Sequence, residues 1–194
     1  NREVKPGGLP SGVGCNVVST RTAYAIYQAC YEGKSCIERI VTFAGSALKA
    51  PVNGLTRVGT PFSHIVEECG GFVKPCRKIV LGGPMMGICA TTLDAPNVKG
   101  TAGVLFFTEE EDKMVENPTC IRCGKCIDAC PMHLMPVLMY KSLQSGSVDE
   151  MKAQNMMDCI ECGCCAYTCP ASVPLVLAFR SGKQILRNAM AAKK

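Results

Sequence analysis

The sequence predicts an α+β chain in which a small mixed sheet gripping one helix is followed by an all-helical segment. Three observations predict it. Short β-branched or aromatic runs bounded by glycine fall between residues 38 and 108. From residue 114 onward the pattern turns helical. Within that helical part, a twelve-residue cysteine motif occurs twice at a fixed offset of 39.

The elements follow in order. KPGGLPSGVG (5–14) is a Gly/Pro loop. TAYAIYQACYEG (22–33) places Ala23, Ile26, Tyr27 and Cys30 at helical spacing, with Gly33 as a stop. ERIVTFAG (38–45), KIVLGG (78–83) and GVLFFT (103–108) read as strands. Between the first two, Thr60 is the expected helix cap and Pro61 the first helical residue. Ile65, Val66 and Cys69 form the apolar face there, and Gly70-Gly71 end it. TEEEDK (108–113) reads as either a hinge or a solvated helix start. PMHLMPVLMYKSLQSG (131–146) and VDEMKAQNMMD (148–158) are helix-like, with Ser147 as cap and Asp149 and Glu150 in the first turn. The stretch after Pro174 reads as a basic amphipathic helix.

Composition narrows the function classes. The chain has 194 residues, 47% apolar and 19% charged, which is a globular composition. The start has neither an initiator Met nor the apolar core of a signal peptide, which suggests a piece of a longer protein. The most apolar run, IVLGGPMMGICATTL (79–93), is broken by glycines and Pro84, so no spanning helix is expected. Most of the 15 cysteines fall into two clusters with metal-ligand spacing, which points to a reducing, cytosol-facing compartment. Net charge is +5. Two four-iron clusters of formal charge about −2 each would bring the loaded protein near +1. With no concentrated Lys/Arg stripe either, no nucleic-acid partner is expected.

CIRCGKCIDACP (120–131) and CIECGCCAYTCP (159–170) both spell C-x2-C-x2-C-x3-C-P. Three cysteines spaced by three wrap a turn of backbone round one face of an iron–sulfur cube. The proline after the fourth turns the chain away, so that cysteine reaches the other cube. The motifs therefore predict two [4Fe–4S] clusters. The first is held by Cys120, Cys123, Cys126 and Cys169, the second by Cys159, Cys162, Cys165 and Cys130. Zinc is the rival metal, but its sites use paired C-x2-C knuckles and four ligands in total. Cys164 aligns with Lys125 and so reads as a spare thiol; the sharper alternative has it replacing Cys165 or tuning the second cluster. Gly124 and Gly163 let backbone amides approach the sulfides.

Other features read as structural. Six methionines between 132 and 157 are soft packing round the clusters. His133 is an exposed helix-start residue and His64 ordinary surface. Cys15, Cys30, Cys36, Cys69, Cys76 and Cys89 are expected to be buried small apolar residues. GGPMMG (82–87) follows a strand but lacks the G-x-G-x-x-G spelling, and reads as a turn. No covalent catalytic constellation appears; electrons are what these residues move.

These motifs together resemble the C-subunit family of the Rnf complex, the membrane-associated ferredoxin:NAD+ oxidoreductase that couples electron flow to Na+ or H+ pumping. GGLPSGVG (7–14) and TAYAI (22–26) are similar to the end of that family's flavin- and NADH-binding domain. VTFAG (41–45), RVGTPFSHIVEECGG (57–71) and GGPMMG resemble its β-grasp (SLBB-type) domain. The two cysteine motifs and FRSGKQILR resemble its two-cluster domain. The resemblance implies three parts: 1–37, the remnant of a flavin/NADH-binding-type domain; 38–112, a β-grasp domain; and 113–194, a helical ferredoxin-type domain. It implies FMN and NADH upstream of Asn1. Ser19-Thr20-Arg21-Thr22 departs from the family's pattern, so no FMN or NADH residue is assigned. The implied partners are other subunits of a membrane complex, a ferredoxin-linked one included, with peripheral attachment on the cytoplasmic side of a bacterial membrane. A cobalamin reductase of bacterial microcompartments shares the architecture and is the nearest alternative. A purely structural or nucleic-acid-binding iron–sulfur module is the alternative from another class.

Overall fold

The computed structural model describes residues 2–5, 8–112 and 115–192. The chain divides into two compact units, Asn16–Lys113 and the pair of segments Asn1–Cys15 and Met114–Lys194.

The first unit is built on five strands: β1 (Glu38–Ala44), β2 (Val52–Arg57), β3 (Lys78–Leu81), β4 (Ile88–Ala90) and β5 (Gly103–Phe107). Their order is β2-β1-β5-β3-β4. β1 runs antiparallel to β2, with Phe43 opposite Val52, and parallel to β5, with Phe43 opposite Val104. β3 is antiparallel to both β5 and β4. Alternation explains the inner face: Val41 and Phe43 of β1 and Val104 and Phe106 of β5 are buried, whereas Thr42 between the first pair is exposed. Helix α2 (Phe62–Glu68) covers that face with Phe62, Ile65 and Val66, positions three and four apart.

Two strands lie outside the sequence reading. VNGLTR (52–57) is a polar edge strand with a glycine at its centre, and ICA (88–90) has three residues, so neither carries a strand signature. The Thr60 cap is corrected too. Pro61 is itself the cap residue at φ −63°, ψ 148°, and α2 begins one residue later with no capping side chain. GGPMMG is a turn joining β3 to β4, closed by the Gly87 amide on the Gly83 carbonyl at 2.7 Å. TEEEDK yields one 3-10 turn, Glu109–Glu111, in which the Thr108 amide donates to the Glu111 carboxylate at 3.3 Å. Lys113 lies outside the described residues. Helix α1 (Thr20–Tyr31) is capped by the Ser19 side chain. It carries no buried residue, so its apolar spacing serves no core within this unit.

The helical unit consists of α3 (Lys125–Asp128), α4 (Pro136–Gln144), α5 (Val148–Ala153), α6 (Cys164–Tyr167) and α7 (Leu175–Ala191). The 39-residue repeat is visible in the backbone itself. α3 and α6 start 39 residues apart, as do α4 and α7. Left-handed conformations recur in pairs: Arg122 (φ 58°) with Glu161 (56°), Gly124 (81°) with Gly163 (86°), and His133 (52°) with Ser172 (52°). His133 is exposed, and its turned backbone delays the helix expected from 131 until Pro136. Asn155, at φ 51°, likewise stops α5 short, leaving a separate turn at Met156–Asp158. The Ser147 cap forms as expected, accepting from the Glu150 amide. The core comprises Met139, Met151, Met156, Val173, Leu175, Phe179 and Leu186. Three of the six methionines are thus wholly buried packing, whereas Met132 and Met135 are exposed.

Candidate metal centres

Each cysteine motif folds as a loop leading into a single helical turn. Left-handed residues at 122 and 124, and at 161 and 163, curl the loop so that successive thiols face one side. Glycine suits the N-cap at 124 and 163 because its φ is positive there. The two loops border two cavities. One is lined by Cys120, Cys123, Cys126 and Cys169 together with Val137, Tyr140 and Val173. The other is lined by Cys130, Cys159, Cys162 and Cys165 with Leu134, Met139 and Phe179. Each cavity therefore takes three cysteines from one motif and the fourth from the other.

The thiols sit in surroundings suited to thiolates once metal is present. The Cys126 sulfur accepts from the backbone amides of Cys126 and Val137, and the Glu161 amide reaches Cys159 Sγ at 3.4 Å. Burial nonetheless dominates. It pushes the Cys126 and Cys159 thiols above their ordinary pKa, and Cys165 up to about 12, with the Cys159 charge adding to the last. At neutral pH these thiols therefore keep their protons until a metal displaces them.

Cys164 does not border the second cavity, and the neighbouring Cys162 thiol raises its pKa. The six outlying cysteines correct the expectation of burial. Only Cys69 is buried; Cys36 and Cys76 are half-buried, and Cys15, Cys30 and Cys89 are exposed. His64 is on the surface of α2, as expected.

One group that motif spacing alone does not reveal stands beside the second cavity. Lys183, 6% exposed, reaches from α7 to the Cys159 carbonyl at 2.5 Å and to Glu161 Oε1 at 2.8 Å. Arg180 Nε holds Glu161 Oε2 at 2.8 Å. Burial pushes the Glu161 carboxyl up, but hydrogen bonds from Lys183 and Arg180 outweigh it and leave the pKa below the usual range. The sequence did carry a signal: Lys183 lies four residues after Phe179 and three before Leu186, inside the buried stripe.

Residues 113–170 match the family described as a 4Fe-4S dicluster domain, which supports iron–sulfur clusters as the groups these cysteines hold. The chain is further a homologue of the C subunits of ion-translocating ferredoxin:NAD+ oxidoreductases. It is 42% identical over 158 residues to the C subunit of the proton-translocating ferredoxin:NAD(+) oxidoreductase complex of Clostridium ljungdahlii. It is 40% identical over 157 residues to the corresponding Na(+)-translocating subunit of Acetobacterium woodii. Over 148 residues it is 36% identical to the C subunit of the ion-translocating oxidoreductase complex of Rhodobacter capsulatus. These matches cover 81, 81 and 76% of the chain, but only 35, 35 and 28% of the relatives. The chain thus spans about a third of the length of the curated relatives it matches. Among its described residues no helix is long and apolar enough to cross a membrane.

Proposed function

We propose that this chain is an electron-relay segment working through two [4Fe–4S] clusters. Cys120, Cys123, Cys126 and Cys169 hold the first; Cys159, Cys162, Cys165 and Cys130 hold the second. The observation that carries this reading is the pairing of cysteines round the two cavities, three from one motif and one from the other. The clusters supply one chemistry, the uptake and release of single electrons. The protein's own contribution is to hold eight thiolates, direct backbone amides at them and exclude water with Met139, Phe179, Val173 and Leu175.

In the longer protein the relay runs between a flavin/NADH site outside this sequence and partner subunits of a ferredoxin:NAD+ oxidoreductase at the membrane. Flow through that complex is coupled to Na+ or H+ translocation, and attachment is peripheral, on the cytoplasmic side. Residues 1–37 belong to the flavin/NADH-binding-type domain, 38–112 form a β-grasp domain of SLBB type, and 113–194 form the cluster domain. The names of the relatives and the sheet order β2-β1-β5-β3-β4 with one covering helix support this plan.

Iron content and EPR of the anaerobically loaded protein test the assignment. Wild type and Cys164→Ser are expected to hold about eight irons per chain, and Cys169→Ser to disturb the first cluster alone. Near-normal signals in Cys165→Ser together with loss in Cys164→Ser overturn the register. Clusters that dithionite fails to reduce, yet whose chelation unfolds the domain, overturn the relay in favour of a structural role.

A further inference from the structure

The two motif loops share one backbone design but not the side chains that fasten it. Across the 39-residue offset the motifs differ at five positions: Arg122 against Glu161, Lys125 against Cys164, Ile127 against Ala166, Asp128 against Tyr167 and Ala129 against Thr168. On the helices that follow, Lys141 stands against Arg180 and Gln144 against Lys183. At the second site these differences become ties. The buried Lys183 ammonium donates to the Cys159 carbonyl and to Glu161, and Arg180 Nε donates to Glu161. The Thr168 hydroxyl donates to the Cys164 and Cys165 carbonyls at 3.1 and 3.4 Å. The loop is thus held at its start, middle and end, and Lys183 meets its acceptors where little water competes. At the first site Arg122 and Lys141 are both exposed cations, and Ala129 has no donor. Among the described residues Arg122, Lys125, Asp128, Lys141 and Gln144 make no side-chain hydrogen bond or ion pair. The first loop also exposes Cys123, whereas the second exposes none of its three cluster cysteines.

We propose that Lys183 is a positioning residue that latches the second motif loop to α7, so that the first cluster is released before the second. This rests on the two-cluster reading given above. A chelator reaches thiolate-bound iron when the loop swings away from it. Opening the second loop must break buried, charge-assisted hydrogen bonds, and opening the first breaks none of that kind. A chain short of iron therefore keeps the second cluster after the first has gone, and the relay is interrupted at the first site.

The experiment is iron release from the anaerobically loaded full chain into excess EDTA, followed by free iron and by EPR of dithionite-reduced samples. Wild type first reports iron: a value far from about eight overturns the two-cluster reading itself. With eight irons bound, release should come in two phases about tenfold apart in rate. The signal that fades first should be the one disturbed in Cys169→Ser. Lys183→Gln gives the second site the residue found at the first. It should bring the slow phase up to the fast one and leave the fast one unchanged. Thr168→Ala removes only neutral hydrogen bonds and should speed the slow phase less. A single phase in wild type, or earlier loss of the second cluster, overturns the proposal. So does a Lys183→Gln chain with unchanged rates, or one with both phases equally faster, which marks a general weakening of the helical unit. A Lys183→Gln chain that loads the first cluster alone supports the latch. Should that variant hold neither cluster, Glu161→Gln decides: acceleration of the slow phase alone supports the latch, and no change or a change in both overturns it.

Discussion

Gly45 closes β1 at φ 124°, and a Cβ built there would lie 2.1 Å from the Phe106 carbonyl oxygen. Backbone cannot yield as a flexible side chain can. Gly45→Ala should therefore destabilise the sheet unit by at least ~2 kcal/mol, read as a lowered urea midpoint at unchanged slope. The glycine itself was legible in VTFAG as the end of a strand. Its reason was not, since β1 meets β5 across some sixty residues of chain, and no local pattern encodes a parallel contact. The cluster cysteines were easier to read because their geometry is local: three spacings and a proline, written twice. Cys164 was separated from Cys165 by its alignment with Lys125, and it is Cys165 that borders the cavity. Lys183 was harder to read. A lysine in a basic helix looks solvated until its burial beside Phe179 and Leu186 is known.

At the scale of elements, α7 does the most varied work. Its buried stripe of Val176, Phe179, Lys183 and Leu186 closes the core, while Arg180 and Lys183 reach the second motif loop. Gly182 lets this helix pass Met156, whose sulfur would stand 2.3 Å from an added Cβ. Met156 is wholly buried, so its side chain must repack within the core to make way. Gly182→Ala should therefore cost ~1–2 kcal/mol despite alanine's better helix propensity, measured by urea unfolding of the loaded protein. Long elements with a clear period, such as α7, β1 and β5, were legible in the sequence. β2 and β4 were not, because edge strands take their hydrogen bonds from a neighbour and need little apolar alternation of their own. Helix bounds shifted where a left-handed residue intervened, the start of α4 after His133 and the end of α5 before Asn155; both residue types are enriched at positive φ but adopt it in only a small share of cases.

At the scale of the whole molecule, the two compact units rest on different foundations. The sheet unit has a continuous core of Val41, Phe43, Phe62, Ile65, Val104 and Phe106. The helical unit has short helices, three of four to six residues, gathered round two cavities and a methionine-rich centre. Helices that short do not stand without tertiary support. Anaerobic chelation of iron should therefore remove amide protection from residues 120–190 while β1, β3 and β5 keep theirs, as measured by hydrogen exchange. Equal loss of protection in both units would show that the sheet core depends on the clusters. The division into a sheet part and a repeat part was visible from composition and motif alone. Helix α1 was legible as a helix from its spacing, but its surroundings were not: Tyr24, Tyr27 and Tyr31 stack on one another at the surface.

The exchange of Cys130 and Cys169 between the cavities also has a bearing on biogenesis. While the chain emerges from the ribosome, Cys126 is made 43 residues before Cys169, whereas Cys130 is already in place when the second motif appears. Under the proposed assignment the second site gains its last thiol at Cys165 and the first at Cys169, so neither cluster has all its ligands until the second motif has been made.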